Sequence, residues 1–477
     1  LPILAEGRNC YLRPSAKESR AIVDARAYYR GFYQAACRAR RSILIAGWQF
    51  DTNVALLRGQ DAEGAAYPVT FLALLDALCR ERPELRVHIL AWDYSLVYAL
   101  EREWLQRLKF SFQTSEAIRF EFASHPAFTG SHHQKFAVFD GALAFAGGLD
   151  LCDERWDDCD HQSRNPFRVN ASGECCRPNH EVQAAVTGDA ALALERLFRE
   201  RWRDAVGEEL ALEAPSQEGT PAYELDALLS ENTYRLRSAS VALSRTSFAE
   251  PEPVAEARAL YLDAIAAAER LIYVETQYFT SRSVAAAFVE RFSDPSRSRL
   301  QVVVMLPRGA DNGKEKFALG PAQSSALEQI EAAARAGHHE LRLLCSTPEG
   351  DCSDATFIHS KVLIVDDTFL AIGSANFTER SMGLDSELCL AWEADGDAEL
   401  TSDIRGLRAA LLAEHAGRSP VEFLEVEGLV ERIDALFEGP GRRLEPCSFE
   451  RQAASPLRNQ IFDPGDPPDP ALRTDST

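Results

Sequence analysis

The chain has 477 residues, 46% of them hydrophobic, and carries 51 basic against 73 acidic side chains for a net charge of -22. That length and apolar content allow two cores of about 200 residues each. The acidic balance argues against a nucleic-acid partner, whose binding draws on Lys and Arg neutralising phosphates, and favours a zwitterionic over an anionic bilayer.

In chain order, the sequence opens on Leu1 with no basic stretch followed by an apolar signal core, as expected of a trimmed chain or one whose leader has been removed. Tyr33 to Asp51 predicts an amphipathic helix feeding an apolar strand, and Tyr261 to Phe279 echoes it. Next comes His133, Lys135 and Asp140 in the pattern H-x-K-x-x-x-x-D, which recurs as His359, Lys361 and Asp366. With ten His, six Lys and 73 acidic residues in the chain, roughly 0.02 such matches are expected by accident. Each copy continues to a glycine 14 residues after its histidine, Gly147-Gly148 and Gly373-Ser374. A fixed spacing repeated 226 residues apart marks a duplicated unit. The predicted organisation is a first lobe over 1–206, a connection over 207–238, a second lobe over 239–450 and an extended tail over 451–477.

Local chemistry explains the motif. Alternate residues of a strand share a face, so each histidine stands beside a lysine cation. Asp140-Gly141 and Asp366-Asp367 are tight-turn signals, which puts each motif Asp at a strand end, holding neighbouring groups rather than touching substrate. Gly147 and Gly373 are expected to let backbone approach a bound group closely. Glu181 and Glu387 each open an apolar strand, and a carboxylate entering a core is usually paired.

Other features have plainer readings. No apolar run approaches the ~18 to 20 residues of a membrane span. Cys152, Cys159, Cys175 and Cys176 match no standard zinc spacing; buried free thiols are the first reading of the cysteines, and a disulfide among these four, or between Cys345 and Cys352, is the alternative if the protein is exported. His338-His339 sits at a predicted helix end, where a histidine complements the dipole. Arg308 to Lys316 is a polar loop before an Ala-rich helix over 322–336.

These residues resemble the phospholipase D superfamily, in particular its single-chain members with two motifs. The resemblance runs from about Gly7 to Pro467. Besides both motifs it includes Gly47-Trp48-Gln49-Phe50-Asp51, Gly148-Leu149-Asp150-Leu151, Arg155-Trp156-Asp157, Pro178-Asn179-His180-Glu181, Glu275-Thr276-Gln277-Tyr278-Phe279, Gly373-Ser374-Ala375-Asn376 and Asp385-Ser386-Glu387. Gln49, Glu181 and Thr276 depart from the usual Asp, Asp and Asn.

The resemblance implies an α/β fold of two homologous α/β sandwich lobes, with mixed sheets flanked by helices and related by a pseudo-twofold. It implies a metal-independent phosphodiesterase without cofactor, hydrolysing a glycerophospholipid such as phosphatidylcholine to phosphatidic acid through a phosphohistidine, with transphosphatidylation. His133 would be the nucleophile and His359 the acid and base, with Glu181 orienting His359 and Glu387 orienting His133. Lys135, Lys361 and Asn376 would face the phosphoryl oxygens, and Ser374, Gly148, Asp150 and Gln277 would line the substrate. A cardiolipin synthase-like transferase, another phosphodiesterase or nuclease, and a non-catalytic lipid-binding scaffold are the alternatives. The partner expected is a phospholipid bilayer surface, met peripherally by a soluble monomer, cytoplasmic or exported.

Overall fold

Strands as apolar as the motif strands must be covered on both faces. In the computed structural model, residues 2–93, 115–127, 129–210, 212, 223–229, 231–248, 253–308, 313–347, 355–438 and 443–447 are described, and both motif strands lie inside mixed sheets. The first sheet has the spatial order Ile118–Ala123, Arg86–Trp92, Ser42–Gly47, Lys135–Phe139, Leu143–Gly147, Val182–Thr187, Ser19–Val23, Thr233–Arg235. The second runs Val254–Ala255, Ala242–Ser247, Glu387–Glu393, Phe369–Gly373, Val362–Val365, Leu271–Glu275, Gln301–Met305, Glu340–Ser346, Leu444–Pro446. Read from the parallel end, seven strands of one match seven of the other, with three parallel and the rest antiparallel in each. This is the pseudo-twofold in terms of strands.

Alternation along the motif strands assigns the layers. Phe136 and Val138, with Val362 and Ile364, enter a central core shared by both lobes and lined by the helices Asp189–Val206 and Ala398–Ala416. Ala137 and Phe139 face an outer core under the helices Ala25–Arg38 and Phe71–Glu81. Leu363 and Val365 face the equivalent core under Glu256–Ala267 and Arg282–Ser293. Each buried Phe, Leu or Val contributes about 1.5 to 3 kcal/mol.

The motif turns carry positive φ at both central residues, 53° and 66° at Asp140-Gly141 and 54° and 57° at Asp366-Asp367. A two-residue turn of that kind matches the twist of the strands it joins. A Cβ at Gly141 would stand 2.4 Å from Glu195 Oε2, so a larger residue there crowds that carboxylate. Asp367 instead meets Arg408, its carboxylate accepting from Nε at 2.6 Å and Nη2 at 2.9 Å in a fully buried pair.

Several expectations give way. Cys345 is disulfide-bonded to Cys447, because antiparallel pairing of Glu340–Ser346 with Leu444–Pro446 brings the two Cα atoms to 5.4 Å; Cys352 lies outside the described residues. Cys152, Cys159, Cys175 and Cys176 are free thiols, in line with the first reading of the cysteines, although only Cys152 of the four is buried. The helix expected over 322–336 spans Gly313–Ala336, starting inside the stretch expected to be a polar loop, and packs on Arg282–Ser293. His339 is no dipole complement: its ring bridges the Leu300 N–H at 2.9 Å and the Phe292 carbonyl at 3.2 Å.

The stretch 207–238 is only partly a connection, since Tyr223, Leu225, Leu228 and Leu229 join the first outer core and Thr233–Arg235 is an edge strand. Residues 211 and 213–222, and the tail over 451–477, lie outside the described residues. At the other end Leu12 bridges to Leu243 and Arg8 pairs with Asp263, so the first residues lie on the second lobe.

Candidate active site

Each motif histidine is held by the opposite lobe through its backbone first. The His133 N–H donates to the Ser386 carbonyl at 2.9 Å, and the His359 N–H to the His180 carbonyl at 3.0 Å. Phe357–Ile358 pairs in parallel with Asn179–His180, and His132 bridges to Ser386 in the same sense. The residue after each of those carbonyls is a glutamate. Glu387 therefore meets His133, whose Nδ1 lies 2.9 Å from Oε2 and 3.1 Å from Oε1. Glu181 meets His359 in the same way through a short Nδ1–Oε2 contact. Both carboxylates are fully buried.

Their surroundings differ. Glu387 also accepts from the Ser381 hydroxyl at 2.7 Å and from the Ser374 hydroxyl. Glu181 accepts from the Val182 N–H at 3.2 Å and stands in the field of Lys361. Burial pushes Glu181 up to about 7, with Lys361 pulling the other way. His359 is held well below the usual histidine value by burial and then by the positive charges of Lys361, Arg155, Lys135 and His133. Both shifts have one cause: a buried carboxylate–imidazolium couple is costly. The contact between Glu181 and Nδ1 of His359 fixes the orientation of the ring.

The lysines are fixed at their tips. Lys135 donates to the His133 carbonyl at 3.1 Å and lies 3.4 Å from Asp150 Oδ2. Lys361 donates to the His359 carbonyl and stands 3.4 Å from Gln277 Oε1. Burial lowers Lys361 to about 7.

The other expected residues divide by what they touch. Asp140 accepts from the backbone N–H groups of Arg40, Arg41 and Ser42 and from the Tyr223 hydroxyl at 2.9 Å. Asp366 accepts from those of Glu269, Arg270 and Leu271. Each pins the entry of the strand beside its motif strand. Asp150 is turned to Lys135 and the Trp48 N–H, and Ser374 to Glu387. Asn376 is buried, and its Oδ1 has no hydrogen-bond partner among the described residues. Gly147 and Gly373 do not serve a ligand: a Cβ would strike Gln183 Oε1 at 1.9 Å in one case and the Leu388 carbonyl at 2.6 Å in the other, both on the adjoining strand. Gly148 is where backbone enters the site, since a Cβ there would stand 2.7 Å from Glu181 Oε1 and 3.1 Å from Lys361 Cδ.

Sequence reasoning gave no role to Ser381, whose signal is its place five residues after Asn376, nor to the acid–histidine layer behind Glu181 formed by Asp24, His161, His180, Glu275 and Glu414. Among the described residues, the side chains grouped closely enough to hold a metal ion lie in that layer and not at the motif histidines.

Comparison with known proteins agrees with this geometry. A family model described as Phospholipase D matches residues 35–291, more than half of the chain. The chain belongs to the phospholipase D superfamily. A second model, described as Cardiolipin synthase, PLD-like domain, matches 261–405. Among curated relatives, phospholipase D alpha 1 of Nicotiana tabacum is 25% identical over 86% of this chain and 66% of its own length. Phospholipase D alpha 4 of Arabidopsis thaliana is 24% identical over 83% and 64%. The chain thus spans slightly less than two thirds of the length of these relatives. Among solved structures, phosphatidylserine synthase of Haemophilus influenzae Rd KW20 superposes with a TM-score of 0.53 at 14% identity, covering 89% of this chain and 95% of that one, a likeness of fold. No helix among the described residues is long and apolar enough to cross a membrane.

Proposed function

We propose that the protein is a phospholipase D that cleaves the headgroup phosphodiester of a glycerophospholipid, phosphatidylcholine first among them, and passes the phosphatidyl group to water or another alcohol. The observation that carries this reading is the doubled His–Lys pair, each ring held on Nδ1 by a glutamate of the other lobe so that both Nε2 atoms are available to one phosphodiester. The net charge of -22 favours a zwitterionic headgroup over nucleic acid.

In the first step Nε2 of one histidine attacks phosphorus; the N–P bond forms as the bond to the headgroup oxygen breaks, and the departing alcohol takes a proton from the other imidazole. In the second, that imidazole takes a proton from water, whose oxygen displaces the histidine and releases phosphatidic acid. Lys135, Lys361 and Asn376 stabilise the charge gathering on the phosphoryl oxygens, and no metal takes part. Another alcohol competes for the same phosphohistidine, which makes headgroup exchange inherent.

Family resemblance assigns His133 as nucleophile and His359 as acid. One observation favours the reverse order: His359 is the more deeply buried ring, 7% against 17% exposed. Phosphopeptide mapping after acid-free quenching decides between them. The main test is product analysis of phosphatidylcholine vesicles with EDTA and ethanol present. Phosphatidic acid and phosphatidylethanol are expected from the wild type and neither from His133→Ala; absence of both would overturn the reading. A second reading, transfer to a lipid alcohol as the principal reaction, is favoured by the cardiolipin synthase-type match over 261–405 and would appear as cardiolipin from phosphatidylglycerol vesicles.

A further inference from the structure

Behind Glu181 lies a group of side chains that the proposed reaction does not use. Asp24 follows the strand Ser19–Val23, His161 lies in the segment after the first motif, His180 directly precedes Glu181, and Glu414 comes from the helix Ala398–Ala416 of the second lobe. We propose that Asp24, His161, His180 and Glu414 bind a divalent transition-metal cation, zinc by its donor set, as a structural clamp between the lobes.

Three independent features support the site. First, its four donor atoms lie within 4.8 Å of one another. His180 Nδ1 is 2.7 Å from Glu414 Oε1 and 3.2 Å from Asp24 Oδ1, while His161 Nε2 is 3.1 Å from Glu414 Oε1 and 3.6 Å from Asp24 Oδ2. Ligand bonds of about 2.0 to 2.1 Å in a tetrahedron set neighbouring donors about 3.3 Å apart, in the middle of that range. Second, two of these atoms are orphans. His180 Nδ1 and Asp24 Oδ2 are buried on residues 0% and 2% exposed, and neither has a hydrogen-bond partner among the described residues. His180 Nδ1 lies between two carboxylates without the alignment of a hydrogen bond to either.

Third, the far side of each ring is already fixed. His161 Nδ1 lies 2.9 Å from Asp157 Oδ2, and His180 Nε2 lies 3.1 Å from Glu275 Oε2. Asp157 is held in turn by Arg168 at 2.8 Å and the Asn179 N–H at 3.0 Å, and Glu275 by His415 at 3.2 Å and the Tyr273 hydroxyl. A carboxylate behind each histidine fixes the tautomer that turns the other nitrogen to a metal. Two carboxylates and two neutral imidazoles cancel the charge of a dication.

The test is the metal content and the metal environment of the untagged full-length protein. About one zinc or other first-row metal per chain is expected after gel filtration, with an X-ray absorption spectrum fitted by nitrogen and oxygen alone at about 2.0 to 2.1 Å and imidazole scattering beyond. Glu414→Gln and His161→Gln should each lower that content at least fivefold with an unchanged circular dichroism spectrum. Folded wild-type protein with less than a tenth of a metal per chain would overturn the proposal, and so would a sulfur shell at about 2.3 Å, which would put the metal on the free cysteines. If the variants do not fold, the wild-type spectrum alone decides. Short exposure to EDTA does not empty a site with three of its four ligands buried, so phospholipase activity in that chelator and the presence of this metal are separate results.

Discussion

The two His–Glu couples have the same chemistry in different surroundings. Glu387 is fed by two hydroxyls, Ser374 and Ser381, whereas Glu181 has one backbone N–H and a neighbouring lysine. The difference begins at one aligned position, where the first lobe has Gly148 and the second Ser374. Gly148 has no room for a side chain against Glu181 and Lys361, while Ser374 uses its hydroxyl on its own lobe's glutamate. Duplicated halves thus keep the His–Glu couples and diverge in the groups around them.

The largest expected effect comes from the rings themselves. His133→Ala and His359→Ala should each reduce turnover by about 10³-fold or more. Only the variant that keeps the nucleophile should still accumulate phosphoenzyme in a rapid-quench experiment with an activated leaving group; phosphoenzyme in both, or in neither, would end the division of roles.

Outside the site the comparison reaches the motif turns. Asp367→Ala strands a fully buried Arg408 and should cost about 3 to 5 kcal/mol in urea unfolding. Gly141→Ala, strained at φ 66° and crowded by Glu195, should cost less because Glu195 can shift.

A smaller effect is expected at the hydroxyls. Ser374→Ala removes one donor from a buried carboxylate, a loss of about 1 to 3 kcal/mol, and should lower kcat about tenfold or more with little change in KM. Gly148→Ser, the exchange in the other direction, should be the more damaging because the added atoms meet Glu181 and Lys361. Equal effects of the two would remove the structural reason for the divergence.

The smallest concerns pH. Lys361 is cationic below its lowered value of about 7 and loses its charge as pH rises through it, so kcat/KM should fall on the alkaline side from near neutrality. A bound phosphodiester anion restores the charge, so kcat should hold to higher pH. A kcat/KM profile flat to pH 9 would contradict this.

The sequence carried the strands, the duplication and the motif residues because each is local: alternation, turn chemistry and a fixed 14-residue interval. Legible too, through family resemblance, was the pairing of Glu181 with His359 and Glu387 with His133. What it hid is non-local. Asp24 and Glu414 are 390 positions apart with no common spacing, so only the folded chain puts both beside His180. Cys345 finds Cys447 across 102 residues because two strands pair, whereas spacing alone pointed to Cys352. The helix from Gly313 was masked by Gly and Pro321, which read as turn formers in the sequence.

Because each histidine leans on a glutamate of the other lobe, neither half of the chain owns a complete couple. A lobe expressed alone would lack its ring's carboxylate and expose its side of the shared central core, so the proposed activity depends on the join. Two separately inactive halves should regain turnover when mixed, with a rate that depends on the concentration of both.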